Sequence, residues 1–306
     1  MRALLVVNPK ATTTSVQVRD VLAHALASEV KLDVVQTTHR GHATELAREA
    51  AVDGLDVVVA LGGDGTVNEV VNGLLHDGPQ EGLPALAVVP AGSTNVFARA
   101  LGMPNSAVEA TSQLLDALLG DRRRRIGLGK ADERWFTFNA GLGIDAGAVR
   151  RVERARARGR QLTQPRYVRK AVHEFYLGPT RRRPALALQQ PGRETVELAL
   201  AFVCNTDPWT FLGDRPVRAT PRAGFDTGLD VFGLRRLPTL PTLRHLAQVL
   251  AGRRPPHGKH LVALHDQPEL VLHSEQALPF QVDGDDLGDR RAVTFRAVPR
   301  ALDVVV

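Results

Sequence analysis

Strands that are apolar on both faces, recurring at short intervals, constrain this chain more than any other feature. Residues 57–61 read Val-Val-Val-Ala-Leu, and 3–7 and 85–89 are equally free of polar side chains. A strand with no solvent face belongs in a parallel sheet covered by helices on both sides; a strand with one wet face would alternate. Between these runs lie stretches with helical spacing at 16–28, 43–51 and 67–75, and another strand at 31–36. The first 120 residues therefore read as a βα repeat, and ligands of such sheets bind beyond the carboxyl ends of the strands.

Past Arg125 the pattern changes. Short alternating strands are expected at 135–139, 185–190, 195–203, 229–234 and 269–273, among Gly and Pro turns. Helices are expected at 146–158, 168–177 and 242–250, the last bounded by loops at 237–241 and 253–257. A length of 306 residues suits two domains, at roughly 150 residues each. The expected fold class is an α/β N-terminal domain with a mostly parallel sheet over residues 1–124, followed by a β-rich sandwich domain over 125–293.

Composition narrows the function classes. With 43% hydrophobic and 24% charged residues the chain is globular rather than disordered. No apolar run reaches the ~18 residues of a membrane-spanning helix, and the amino terminus runs into a turn at Asn8-Pro9 instead of a signal-peptide core, so a cytoplasmic protein is expected. The single cysteine, Cys204, excludes an internal disulfide and sits in an apolar run as a small core residue. The formal charge is +6, and arginines cluster at 122–125, 150–160 and 181–183, which favours a phosphate-rich partner. Only 14 aromatics serve the chain, 10 Phe, 2 Trp and 2 Tyr, and none interleaves with an arginine cluster, so nucleic acid is not the expected partner.

The chemistry is concentrated in two turns. Gly62-Gly63-Asp64-Gly65-Thr66-Val67-Asn68-Glu69 lies between the strand at 57–61 and a helix expected to begin near Val67. Its glycines admit close backbone approach, and a helix start offers N–H groups to an anion. Asp64 facing phosphate alone would be repelled, so a divalent cation or a ribose hydroxyl is its complement; a magnesium nucleotide supplies both. Pro90-Ala91-Gly92-Ser93-Thr94-Asn95 repeats the arrangement after the next strand, which would place the two turns face to face across one crevice. Ser93, Thr94 and Asn95 read either as phosphate or ribose donors or as helix caps.

Other motifs are weaker. Gly141-Leu142-Gly143-Ile144-Asp145-Ala146 matches a dinucleotide fingerprint, but no acidic residue ends a following strand about 20 residues later. Close backbone packing explains it. A Walker-type loop is absent, since Gly258-Lys259 is followed by His260. His257, His260 and His265 lack the spacing of metal ligands and read as exposed loop and strand positions.

Taken together, these residues resemble the diacylglycerol kinase catalytic family, the bacterial soluble lipid kinases related to sphingosine and ceramide kinases and more distantly to NAD kinases. The resemblance is carried by Asn8-Pro9, residues 37–43, 62–69, 90–99 and 138–146, Asn205, residues 221–230, and Gln281-Val282-Asp283-Gly284-Asp285. It implies an NAD kinase-like nucleotide domain and a β-rich acceptor domain around a cleft, with 294–306 returning to the first domain. It implies ATP on Asn8, Pro9, Lys10, Thr37, Gly62, Gly63, Asp64, Gly65, Thr66, Asn68, Glu69, Gly92, Ser93, Thr94 and Asn95, and Mg2+ near Asp64. Asp285 would accept the proton of a lipid hydroxyl, with Asp283 supporting it or the phosphates. The implied reaction is phosphoryl transfer to diacylglycerol. A sphingoid base, another lipid or NAD as acceptor stays open, as does a non-catalytic lipid- or nucleotide-binding homologue. The implied partner is an anionic membrane surface, met by the arginines of 150–160; a homodimer is compatible.

Departures from the family pattern are specific. Asp285 stands for a glutamate, Thr12 and Thr13 for a glycine and lysine, and Val96 for an aspartate. At a second-domain magnesium site that some members carry, Thr227 and Gly127 replace aspartates, leaving Asp226 as the nearest carboxylate.

Overall fold

A computed structural model describes residues 1–11, 16–157 and 186–306. Thr12, Thr13, the expected helix at 168–177 and the arginines at 181–183 lie outside the described residues, as do the side chains of the arginines from 154 to 160. The chain divides into one unit of Met1–Leu128 with Pro299–Val306 and a second of Gly129–Val298.

The first unit is the expected parallel βα array. Strands β1 (Arg2–Val7), β2 (Lys31–Gln36), β3 (Val57–Gly62) and β4 (Ala85–Pro90) lie in the order β4-β3-β1-β2, all parallel. Near the end of the chain Val304 pairs in parallel with Leu86 of β4. Both faces of β3 and β4 are fully buried. One face (Leu5, Val59, Leu61, Ala87 and Val89) packs on Leu22 and Leu26 of helix α1 (Val16–Ala27) and on Leu114 and Leu118 of a later helix, Ala107–Leu119. Helices α2 (His42–Val52) and α3 (Asp64–Leu74) pack together at Gly73, where a Cβ would lie 2.3 Å from the Thr44 carbonyl oxygen. A short helix α4 (Val96–Ala100) follows β4, and the helix at Ala107–Leu119 is α5. The α5 N-cap is Ser106, whose hydroxyl accepts from the Glu109 N–H.

Strand β5 (Arg123–Ala131) leads into the second unit. There β6 (Arg134–Phe136), β7 (Asn139–Leu142), β8 (Leu186–Gln189), β9 (Val196–Leu198) and β10 (Leu200–Cys204) precede the small hairpin of β11 (Thr210–Leu212) and β12 (Arg215–Val217). Then come β13 (Leu229–Leu234), β14 (Leu261–Gln267), β15 (Glu269–Val282) and β16 (Asp285–Val305). The order is β14-β13-β10-β7-β15-β16, with β8 also on β15 and β9 on β8, and the pairs are antiparallel. Helix α6 (Ile144–Ala157) follows β7, and α7 (Thr239–Ala251) lies between β13 and β14. Phe202 stacks on both Trp209 and Phe232 at 5.0 Å, in a core that takes in Cys204 and Val249 of α7.

Three expectations are corrected. The strand expected over 195–203 breaks at Ala199, whose N–H donates to the Leu234 carbonyl, so β9 and β10 pair with different neighbours. The expected loop at 237–241 contains the start of α7: Pro238 is the N-cap and Pro241 falls in the first turn, where a helix needs no N–H. The helix expected near Val67 begins at Asp64, so the acidic side chain belongs to its first turn.

Candidate active site

The two turns of the first unit meet through backbone. Adjacent strands β3 and β4 pair to their last residues, Gly62 opposite Pro90, and the Ala91 N–H donates to the Gly62 carbonyl at 2.9 Å. Beyond that point Gly63 and Gly92 come together so closely that a Cβ on Gly92 would stand 2.6 Å from the Gly63 Cα. Gly62 is equally constrained, since a Cβ there would lie 2.6 Å from Thr66 Oγ1. A side chain on Gly92 would part the turns, and a Cβ on Gly63 would already press the Gly92 Cα at 3.2 Å.

Side chains brace this arrangement. Asn8, at the end of β1, donates to Thr66 Oγ1 at 3.0 Å and accepts from the Lys10 N–H at 2.9 Å. Asp64 Oδ1 accepts from the Phe97 N–H at 3.1 Å, so the carboxylate of one turn caps the helix that opens the next. Asn95 has left-handed backbone (φ 50) and is buried. Its Oδ1 accepts from the Gly92 N–H, and its Nδ2 donates to the Gly92 carbonyl and to Asn105 Oδ1. Both amide protons are thereby engaged, and the side chain shapes the turn instead of presenting donors.

Around this frame Gly63, Asp64, Gly65, Thr94 and Thr37 are half-buried, whereas Ser93, Pro9 and Lys10 are exposed. The Thr37 N–H donates to the Val7 carbonyl, holding the end of β2 beside β1. Two residues of the motif point elsewhere. Asn68 is buried within α3 and accepts from Asn72 Nδ2. The Glu69 carboxylate accepts from the N–H groups of Gly41 and Ala43, occupying the anion position at the amino end of α2.

In the second unit, Asp283 and Gly284 form the two-residue turn between β15 and β16, with φ of 48 and 83 and Val282 paired to Asp285. Asp-Gly in such a hairpin is favoured because both positions need positive φ. Asp283 is no participant at a surface. Its carboxylate is buried and accepts from the N–H groups of Thr137, Phe138 and Asn139 and from the Thr137 hydroxyl, at 2.7 to 3.1 Å. Burial pushes its pKa up against those four donors. Gln281 extends the brace: its Oε1 accepts from the Gly284 N–H, and its Nε2 donates to Asn139 Oδ1 and Asp145 Oδ2. Asp145, buried at the start of α6, is pushed up to about 6 by desolvation. A Cβ on Gly141 would fall 2.5 Å from its Oδ2, which is the close packing behind the dinucleotide-like motif. Asp285 follows the turn, half-buried, as the first residue of β16.

Of the arginines expected at a membrane, Arg150 is ion-paired within the second unit. Its guanidinium holds Asp286 through Nε and Nη2 at 2.7 and 2.9 Å and reaches Asp289 at 2.6 Å, so this arginine of α6 is spent within the fold. Asp226 is exposed, and the Thr227 hydroxyl lies 3.0 Å from the Gly224 carbonyl oxygen. Among the described residues no three His, Cys, Asp or Glu side chains gather to hold a metal. His265 Nδ1 instead pairs with buried Asp230 at 2.7 Å. Among the described residues no helix is long and apolar enough to cross a membrane.

Comparison with known proteins addresses the same residues. The family model described as "Diacylglycerol kinase catalytic domain" matches residues 2–131. A diacylglycerol kinase of Bacillus subtilis (strain 168) is 44% identical over 107 residues, 35% of this chain and 33% of that protein, so the match spans about a third of its length. A diacylglycerol kinase of Staphylococcus aureus (strain bovine RF122 / ET3-1) is 27% identical over 317 residues, covering 99% of this chain and 91% of the relative. In fold, the chain is similar to a diacylglycerol kinase from Bacillus anthracis str. Sterne, with a TM-score of 0.73 at 20% identity over 99% of this chain and 96% of that one. It is also similar to an NAD kinase from Archaeoglobus fulgidus solved in complex with ATP, with a TM-score of 0.52 at 12% identity over 100% and 94%. Residues 2–131, whose two glycine turns meet at the ends of β3 and β4, match the diacylglycerol kinase catalytic-domain family.

Proposed function

We propose that this chain is a lipid kinase that transfers the γ-phosphoryl group of ATP to the hydroxyl of diacylglycerol, giving phosphatidic acid. Phosphoryl transfer to an alcohol is the reaction of the family that residues 2–131 match. The observation that carries the nucleotide assignment is the contact of Gly63 with Gly92: it sets two helix-opening turns side by side at strand ends, where backbone N–H groups receive phosphate. Gly63, Gly65 and Thr66 with Ser93 and Thr94 are our choice for the triphosphate, Lys10 and Thr37 for flanking contacts. Asn8, Asn95 and Glu69 keep the turns and helices in place.

Magnesium bound with the nucleotide neutralises charge on the phosphates and needs only one or two protein carboxylates. Asp64, at the opening of α3, is the carboxylate suited to it. In the reaction the acceptor oxygen forms a bond to the γ-phosphorus as the bond to the bridging oxygen breaks, the electron pair leaving with ADP. Asp285 is our choice to accept the hydroxyl proton, which is released readily because the alcohol becomes acidic as its bond to phosphorus forms.

The likeness to an ATP-bound NAD kinase supports a second reading, with a nucleotide ribose as acceptor. One assay separates them: transfer from radiolabelled ATP, with magnesium, to diacylglycerol, sphingosine, ceramide, phosphatidylinositol or NAD. Labelled phosphatidic acid is expected. Label in NAD alone would replace the lipid reading, and no label in any acceptor would leave a binding protein.

A further inference from the structure

Helix α7 carries an apolar ridge on its outer face. His245 and Val249 are its buried residues, 3% and 6% exposed, and Val249 packs into the core of the second unit. The His245 ring is further tied to the Lys259 carbonyl at 3.0 Å. Three residues apart along the helix and away from these, Leu240 is 80% exposed and Leu243 and Leu246 are each 45% exposed, with exposed Ala247 and Ala251 beside them. Leucine at such exposure is ordinary singly, but three on one helix face form a patch that calls for a partner.

The charge around the ridge says which partner. From Val231 to His265 the chain has no Asp or Glu, while it has Arg235, Arg236, Arg244, Arg253, Arg254 and Lys259. All six are exposed: two just before α7, one beside the leucines and three beyond its end. A second copy of the chain docking symmetrically here would bring these cations onto one another. A nucleic acid would meet a leucine ridge with no aromatic residue between 235 and 260 to stack on. Leucines rimmed by arginine are the composition of a helix that lies in the headgroup region of an anionic bilayer.

We propose that the outer face of α7 is an interfacial docking surface, with Leu240, Leu243 and Leu246 entering an anionic bilayer and the surrounding cations engaging its phosphates. The assignment deepens the lipid-kinase reading and rests on it for the acceptor's being in a bilayer. It places a membrane contact on α7 in addition to the arginines of 150–160, of which Arg150 is bound by Asp286 and Asp289.

The test uses the full chain, sedimented with vesicles of phosphatidylcholine alone or mixed with phosphatidylglycerol. Two variants accompany it, Leu240→Ser/Leu243→Ser/Leu246→Ser and Arg235→Gln/Arg236→Gln/Arg253→Gln/Arg254→Gln. The parent is expected to sediment with the anionic vesicles only, and each variant to lose about tenfold or more in binding. Melting temperature and turnover on a water-soluble short-chain diacylglycerol should stay unchanged in both variants. Leu240→Trp should show blue-shifted emission on anionic vesicles, a readout that needs no loss of residues. Binding that survives both variants, an unshifted Trp emission, or a dimer that the leucine variant dissolves would overturn the proposal. Failure of the kinase reading is seen separately, as a parent that binds vesicles but phosphorylates no short-chain acceptor.

Discussion

The turn at Gly63 and the turn at Asp283 each set a carboxylate beside glycine, yet one is held mainly by backbone and the other by side chains. At Gly63 the decisive contact is Cα against Cα, with Gly92 as partner and Asn95 folded back onto its own turn. At Asp283 a buried carboxylate gathers four donors from residues 137–139, and Gln281 ties the turn to Asn139 and Asp145. A surface that must receive phosphate keeps its N–H groups for the ligand and can spare few side chains. A turn that must hold one acidic residue in place can bury as many polar groups as it can satisfy.

The largest effect separating the two turns should come from Asp285→Asn. Turnover should fall ~10² to 10⁴-fold, the usual value of general-base help, while magnesium-ATP affinity measured by calorimetry stays at the parent level; retained turnover would remove Asp285 from the chemistry. Asp283→Ala orphans four buried donors, and urea unfolding should show a loss of about 3 kcal/mol or more. A loss under about 1 kcal/mol would mean that the turn does not depend on this carboxylate.

Asp145 sharpens the comparison through pH. Its carboxyl, raised from 3.8 to about 6, favours the folded state while protonated; that stability is present below pH 3.8 and is lost as pH rises through 6. Asp145→Asn removes the titration, so the variant should gain on the parent as pH climbs from 4 to 7, by up to about 3 kcal/mol. Thermal melts at the two pH values check this, and a gap independent of pH would contradict it. The smallest change in stability, about 1 to 3 kcal/mol, is expected for Gly92→Ala, together with a marked loss of ATP affinity because the added Cβ parts the turns. An alanine variant that binds ATP as the parent does would show that the Gly63–Gly92 contact is dispensable.

The first unit was largely legible because its signals are local and its strands are apolar throughout. Two-faced burial announced β3 and β4, and glycine followed by a helix announced the cradle. Even there, α5 is marked by the helix-start signature Ser106-x-x-Glu109 and not by the strand pattern. Glu69 and Asn95 could not be read as braces, since their partners at Gly41 and Asn105 lie 28 and 10 residues away. The second unit depends on such distant pairing throughout: Asp283 reaches Thr137 across 146 positions and Arg150 reaches Asp286 across 136. Its strands are short and broken, as at Ala199, because each edge serves a different neighbour. The Asp-Gly pair at 283–284 did signal a tight hairpin, but the burial of its carboxylate has no local mark.

The most direct measurement is amide hydrogen exchange of the full chain with and without magnesium-ATP. Slowed exchange at residues 63–67 and 91–95, with helix α7 unaffected, is the result this account predicts. Unchanged exchange in both turns at saturating nucleotide would contradict it.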